Sequence, residues 1–140
     1  FGGGFALASG FTETGLTGWI GNQLTGLSSL PLWVVVLFVC LGITFLTELT
    51  SNTATSTIIL PVMGAAAVVA GFHPLMFMLP ATLSASFAFM LPVATPPNAI
   101  VFGSGWVTIP AMSRAGFVLN LMGAILITAL ALLLIRTLFL

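Results

Sequence analysis

Between two apolar stretches, residues 31–45 and 58–72, the chain places the eleven-residue block "TELTSNTATST", in which nine side chains are polar. Any fold must account for hydroxyls, an amide and a carboxylate flanked on both sides by residues that avoid water. With 59% hydrophobic residues, 3% charged residues and a mean hydropathy of +1.29 over 140 residues, too little polar surface remains to disperse a soluble domain of this size. The chain reads as an integral membrane protein. In hydrocarbon every main-chain polar group must then find its partner inside the protein.

The formal net charge of zero gives no footprint for nucleic acid and no basic cluster for anionic lipid headgroups. The expected surroundings are the lipid bilayer and small solutes. Cys40, the single cysteine, lies in an apolar run and excludes an internal disulfide. His73 has no partners at metal-ligand spacing and reads as a solvated loop residue beside Pro74. The opening "FGGGFALASG" lacks an initiating Met and a basic n-region, so the chain reads as part of a longer membrane protein.

The pattern predicts four segments. Residues 1–30 comprise the end of a membrane helix and an interfacial arm helix, with Leu16, Trp19, Ile20, Leu24 and Leu27 forming one apolar stripe. Residues 31–72 hold two apolar runs of about 16 and about 15 residues. A helical run of that length reaches about 24 Å, short of a hydrocarbon core about 30 Å thick. Two short arms joined by a polar tip read as a re-entrant hairpin whose tip sits near mid-membrane. Residues 73–112 form a broken transmembrane helix and a loop. In "VATPPNA" the prolines push the preceding residue out of helical geometry and lack the N–H groups a continuing helix needs. The helix is expected to stop near Ala94 and restart near Pro97, and "GSGWVTIPAMSR" is expected to be a loop. Residues 113–140 form the C-terminal transmembrane helix, with about 21 apolar residues, Gly116 and Gly123 as packing positions and Asn120 as an interhelical hydrogen bond. Arg114 and Arg136 lie at either end, so charge does not orient it.

Two breaks about 40 residues apart, "TSNTATS" and "ATPPNA", can share one polar site. Half-helix N-termini offer unpaired N–H groups to an anion, and unwound backbone offers carbonyl oxygens to a cation. The tip adds neutral hydroxyls and the Asn52 amide, and neither break contains Lys, Arg or His. Charge compensation for an anionic substrate would come from a co-bound cation such as sodium. Glu48 either tunes such a site or bonds nearby backbone.

"ELTSNTATST" followed by "FMLPVATPPNAIVFGSG" resembles the C-terminal half of the divalent anion/sodium symporter family, the sodium-coupled di- and tricarboxylate transporters. The resemblance implies an all-α membrane fold: a re-entrant hairpin plus a discontinuous transmembrane helix, one half of an inverted-repeat, elevator-type transporter in the cell (inner) membrane. It implies that Ser51, Asn52, Thr53, Thr95 and Pro96 meet a di- or tricarboxylate such as succinate. It implies a sodium site of Thr47, Thr50, Asn52 and Ala94, partly through main-chain carbonyls, with Na+ as coupling ion. The family's horizontal arm helix would match residues 12–28, and homodimers are expected. The first inverted repeat is the missing partner, because a substrate in that family is gripped between two Ser-Asn-Thr tips.

Two other classes compete. A small module that docks on a partner protein explains the length but not the two aligned breaks. An intramembrane hydrolase would need a Gly-x-Ser-Gly loop and a paired His, and "FGSG" around Ser104 lacks the first glycine. The sequence therefore predicts a transporter rather than an enzyme, with no catalytic residues.

Overall fold

The computed structural model describes residues 6, 9–10, 13–16, 18–19 and 30–138. The arm helix expected over residues 12–28 falls for the most part outside the described residues. From residue 30 the chain forms α1 (Leu32–Thr47), α2 (Asn52–Val69), α3 (Leu75–Ser84), α4 (Pro96–Gly103) and α5 (Ile109–Leu138). Among the described residues there are no strands.

Local chemistry sets most of these boundaries. Pro31 opens α1 in an extended conformation, and Ser51, also extended, opens α2. At the far end of α2, Gly71 adopts φ +77°, the left-handed region that glycine enters without a Cβ penalty. The Gly71 N–H donates to the Val68 carbonyl at 3.0 Å and the Phe72 N–H to the Ala67 carbonyl at 2.8 Å, the paired bonds of a Schellman stop. Gly105, at φ +76°, makes the turn before α5.

Three boundaries differ from the sequence expectation. The hydroxyl block is not all turn: only residues 48–51 are, and residues 52–57 are the first turns of α2. The Ser56 hydroxyl donates to the Asn52 carbonyl at 2.9 Å and the Thr57 hydroxyl to the Thr53 carbonyl at 2.7 Å, so these polar side chains are satisfied within a helix. Helix α3 ends at Ser84, ten residues ahead of the expected stop near Ala94, leaving residues 85–95 irregular. Helix α5 begins at Ile109, taking in "IPAMSR"; Pro110 falls in its first turn, where a missing N–H costs nothing. The loop shrinks to residues 104–108.

Helices α1 and α2 run back along each other with α3 between them. The start of α1 (Val35, Val36) shares a buried cluster with the end of α2 (Ala66, Ala67), through Phe77 of α3 and Ala124, Ile127 and Ala131 of α5. Nearer the tip, Ile43 of α1 packs with Ala81 and Ala85, and Ile59 of α2 joins them. Alanines at these contacts let the backbones approach closely, which is how apolar helices associate without help from water. By length and composition α2 and residues Ile109–Leu134 of α5 can each cross a bilayer, whereas α1 and α3 are shorter. Outward positions of α5 such as Met122, Ile125 and Leu126 are more than half exposed, a surface suited to lipid or to further protein rather than to water.

The irregular segment lies directly on α5. A Cβ added at Gly116 would sit 2.6 Å from the Met90 Cα and closer still to the Phe89 carbonyl, both main-chain atoms that cannot swing aside. At Gly123 it would meet the Phe87 ring, 2.7 Å from Cε1. Gly116→Ala is therefore expected to destabilise the fold by about 1–3 kcal/mol through overpacking. Gly42→Ala, with nothing within 4 Å of the new Cβ, is expected to be neutral or stabilising by up to about 1 kcal/mol. Melting of the two variants in detergent, read by tryptophan fluorescence, checks the contrast.

Candidate functional site

Residues 85–95 are held in a non-helical path by side chains from the end of α1, from α4 and from α5. Glu48, at the end of α1, is 3% exposed. Its Oε1 accepts from the main-chain N–H groups of Phe89 at 2.7 Å and Met90 at 2.9 Å, and its Oε2 from that of Leu91 at 3.1 Å. Oε1 also accepts from the Asn120 amide of α5 at 2.7 Å. All four partners are N–H donors, the set that suits an acceptor-only carboxylate. No ion pair to Glu48 occurs among the described residues, so these dipoles carry the cost of burying it.

The carbonyls of the segment are met from α4, α5 and α1. Asn98 of α4, almost fully buried, donates its amide to the Ala88 carbonyl at 2.9 Å and to the Leu91 carbonyl at 3.0 Å. Ser113 donates to the Met90 carbonyl at 3.2 Å. The Thr47 hydroxyl lies 2.9 Å from the Ala85 carbonyl and 2.7 Å from Asn52 Oδ1, and its single hydrogen serves either. Irregular backbone inside an apolar protein persists only with such partners.

The tip and this segment meet across a cleft of about 460 Å³, lined by residues 49–53 and 93–96. Of the residues named from sequence, Thr50, Ser51, Asn52, Thr53, Ala94, Thr95 and Pro96 all line it. Thr47 lies behind the cleft, fully buried, and touches it through its bond to Asn52. The Thr55 hydroxyl and Thr50 Oγ1 are 2.6 Å apart, and the Thr50 hydroxyl also reaches the Leu46 carbonyl at 2.9 Å, which fixes the Thr50 side chain against the two helices.

The tip supplies both donors and acceptors to the cleft, and the second break supplies acceptors. At the start of α2, the Thr55 N–H donates to the Ser51 carbonyl at 2.8 Å, whereas no described residue accepts from the N–H groups of Asn52, Thr53 or Ala54. Ser51 makes no side-chain cap that would use them. These three N–H groups, with the positive end of the α2 dipole, suit an anion. The start of α4 differs from the expectation that both breaks offer free N–H groups. Its first two residues are Pro96 and Pro97, and the Asn98 N–H is taken by Thr95 Oγ1 at 3.4 Å. Among the described residues no N–H donates to the carbonyls of Thr47, Thr50 or Ala94. These oxygens, with the Asn52 side chain, suit a hard monovalent cation. No group of three or more His, Cys, Asp or Glu side chains that could hold a divalent metal occurs among the described residues.

The tip residues and Thr95 named from the sequence line the cleft, whereas the organising roles of Asn98 and Glu48 emerge only from the structure. Asn98 sits one residue past the double proline, where only its short spacing from the break marked it. Glu48 was left between two roles, and Asn120 was expected to make an interhelical bond; the structure joins them to each other and to the break.

Residues 1–140 match the family described as the sodium:sulfate symporter transmembrane region. The chain is 49% identical over 127 residues to the sodium-dependent dicarboxylate transporter SdcS of Staphylococcus saprophyticus, covering 91% of this chain and 24% of that protein. It is 52% identical over 127 residues to solute carrier family 13 member 2 of Rattus norvegicus, covering 91% of this chain and 22% of the relative. For the Homo sapiens protein of the same name the identity is 52% over 130 residues, with 93% and 22% covered. The chain thus spans about a quarter of the length of these relatives. With a family match over its whole length, the chain belongs to the sodium:sulfate symporter transmembrane family.

Proposed function

We propose that this chain supplies the C-terminal half of the substrate site, and one sodium site, of a sodium-coupled symporter for di- and tricarboxylates such as succinate. One observation carries the reading: a single cleft is lined both by residues that open α2 with unused N–H groups and by Thr50 and Ala94, whose carbonyls accept from no described N–H, with the Thr47 carbonyl belonging to the residue directly behind it. An anion and a cation are each offered what they need without a charged side chain in the cleft. The names of the relatives, which include a sodium-dependent dicarboxylate transporter, agree with that chemistry.

In this reading Ser51, Asn52 and Thr53 donate to one substrate carboxylate, and Thr95 and Pro96 shape the opposite wall. The carbonyls of Thr47, Thr50 and Ala94, with the Asn52 side-chain oxygen, take Na+. Thr47 holds Asn52 Oδ1 within hydrogen-bond distance, so cation arrival competes for that oxygen and turns the Asn52 amide toward the substrate. Coupling is then local: each solute offsets the charge of the other at close range. Helices α1 and α2 act as a re-entrant hairpin, and a first inverted repeat completes the grip. The site is carried between membrane faces by an elevator-type movement within a homodimer in the cell (inner) membrane.

Three outcomes test the reading. Sodium-driven uptake of radiolabelled succinate into proteoliposomes is expected from a longer protein that carries the first repeat, and not from these 140 residues alone; uptake by the short chain would contradict the half-site. In the longer protein Asn52→Ala is expected to raise the half-saturating concentrations of sodium and succinate together, each by about tenfold or more. A change in one alone would break the shared role. Asn98→Ala removes the amide donor to the Ala88 and Leu91 carbonyls, and is expected to lower both stability and uptake, with a melting loss equivalent to about 1–3 kcal/mol; wild-type melting would show that the break holds its path without it.

A further inference from the structure

Three successive main-chain N–H groups turned toward one point form a nest of the kind that binds anions. In this chain the N–H groups of Phe89, Met90 and Leu91 converge in that way, and the nest is filled by the protein's own carboxylate. We infer that Glu48, the internal occupant of this nest, is a positioning residue for the coupling cation, setting the distance between the Thr47 and Ala94 carbonyls. The inference rests on the symporter reading given above.

The path is short on both sides. Glu48 follows Thr47 in the chain, so anchoring its carboxylate anchors the peptide group that carries the Thr47 carbonyl. On the other side Oε2 accepts from the Leu91 N–H, and the Leu91 carbonyl in turn accepts from the Ala94 N–H at 3.2 Å. One turn therefore separates the carboxylate from Ala94. The Asn98 amide, 3.0 Å from the same Leu91 carbonyl, fixes that turn from the α4 side. Asn120 holds Oε1 from α5, leaving the carboxylate little freedom to rotate. Glu48 lies outside the residues that line the cleft, and each hydrogen bond it makes is to an N–H group rather than toward an ion.

Two consequences follow. Substrate carboxylates have no access to this nest and are left with the donors that open α2. Replacing the carboxylate by an amide places an NH2 group against one or more of the converging N–H groups, donor against donor. The turn then shifts, and with it the Ala94 carbonyl. A cation held by a few neutral oxygens is sensitive to such a shift, because partners outside the ligand set orient the ligands.

The test uses the longer transporter containing this segment, in proteoliposomes, with sodium activation of succinate uptake measured at saturating substrate. Glu48→Gln is expected to raise the half-activating sodium concentration by about tenfold or more. Glu48→Ala is expected to show a similar or larger shift, partly reversed by potassium formate, which fits a vacated carboxylate position, and not by potassium chloride. Should neither variant fold, Glu48→Asp keeps the charge while shortening the side chain by one methylene, and is expected to move sodium activation in the same direction. Wild-type sodium activation in Glu48→Gln or Glu48→Asp overturns the proposal, as does reduced protein amount with unchanged sodium activation. Absence of formate rescue in a folded Glu48→Ala protein also overturns it. If the wild-type protein shows no sodium-driven uptake, the symporter reading itself has failed and the proposal falls with it; formate-dependent melting of Glu48→Ala then reports whether the nest is nevertheless a carboxylate site.

Discussion

A buried carboxylate among apolar helices has to be surrounded by donors, and that requirement organises this molecule. Glu48 gathers three main-chain N–H groups of the irregular segment and the amide of Asn120, so one side chain ties α1, residues 89–91 and α5 together. An unpaired charge in this environment would cost several kcal/mol. The segment is equally dependent, since its N–H groups would otherwise be stranded away from water. Each side solves the other's problem, and the path of the chain past Ser84 follows from that mutual need. Gly116 completes the arrangement by letting the backbone at residues 89 and 90 rest directly on α5.

From that path comes the second break's contribution to the cleft. The prolines that restart the chain at α4 remove its first two donors, and Thr95 takes the third. Its neighbour Ala94 presents a free carbonyl. At the tip, Ser51 leaves the opening N–H groups of α2 unused. The tip thus offers donors suited to an anion and, at Thr47 and Thr50, carbonyls suited to a cation, while the second break adds the Ala94 carbonyl; Asn52 can serve both because an amide carries both an acceptor and two donors. A site built in this way needs no charged side chain beside the solutes.

How much of this was legible in the sequence depended on whether the controlling interaction was local. The tip was legible, because nine polar residues in eleven have no reason to interrupt apolar arms unless they face something polar. Its exact extent was less so: hydroxyls that bond the carbonyl four residues back let the polar block continue as helix α2. The restart at Pro96 was legible from proline geometry. The end of α3 was not, since "SASFAFMLPV" contains no local stop before Pro92 and the chain leaves the helix under the pull of Glu48, 41 residues away from Phe89. Likewise Asn120 lies 72 residues from Glu48, and nothing in the spacing of either revealed the bond. Gly116 and Gly123 were expected at packing positions; their partners, Phe89, Met90 and Phe87, could be named only with the backbone in place.

The central proposal is that the cleft at the tip of the α1–α2 pair holds sodium and substrate together. The measurement that tests it most directly is the rate of thiol labelling at the tip, in the longer protein carrying Ser51→Cys; Cys40 is buried and stays silent. The account predicts that sodium slows labelling, that potassium does not, and that succinate slows it further only when sodium is present. Labelling that is indifferent to sodium, or protected equally by succinate in its absence, would contradict it.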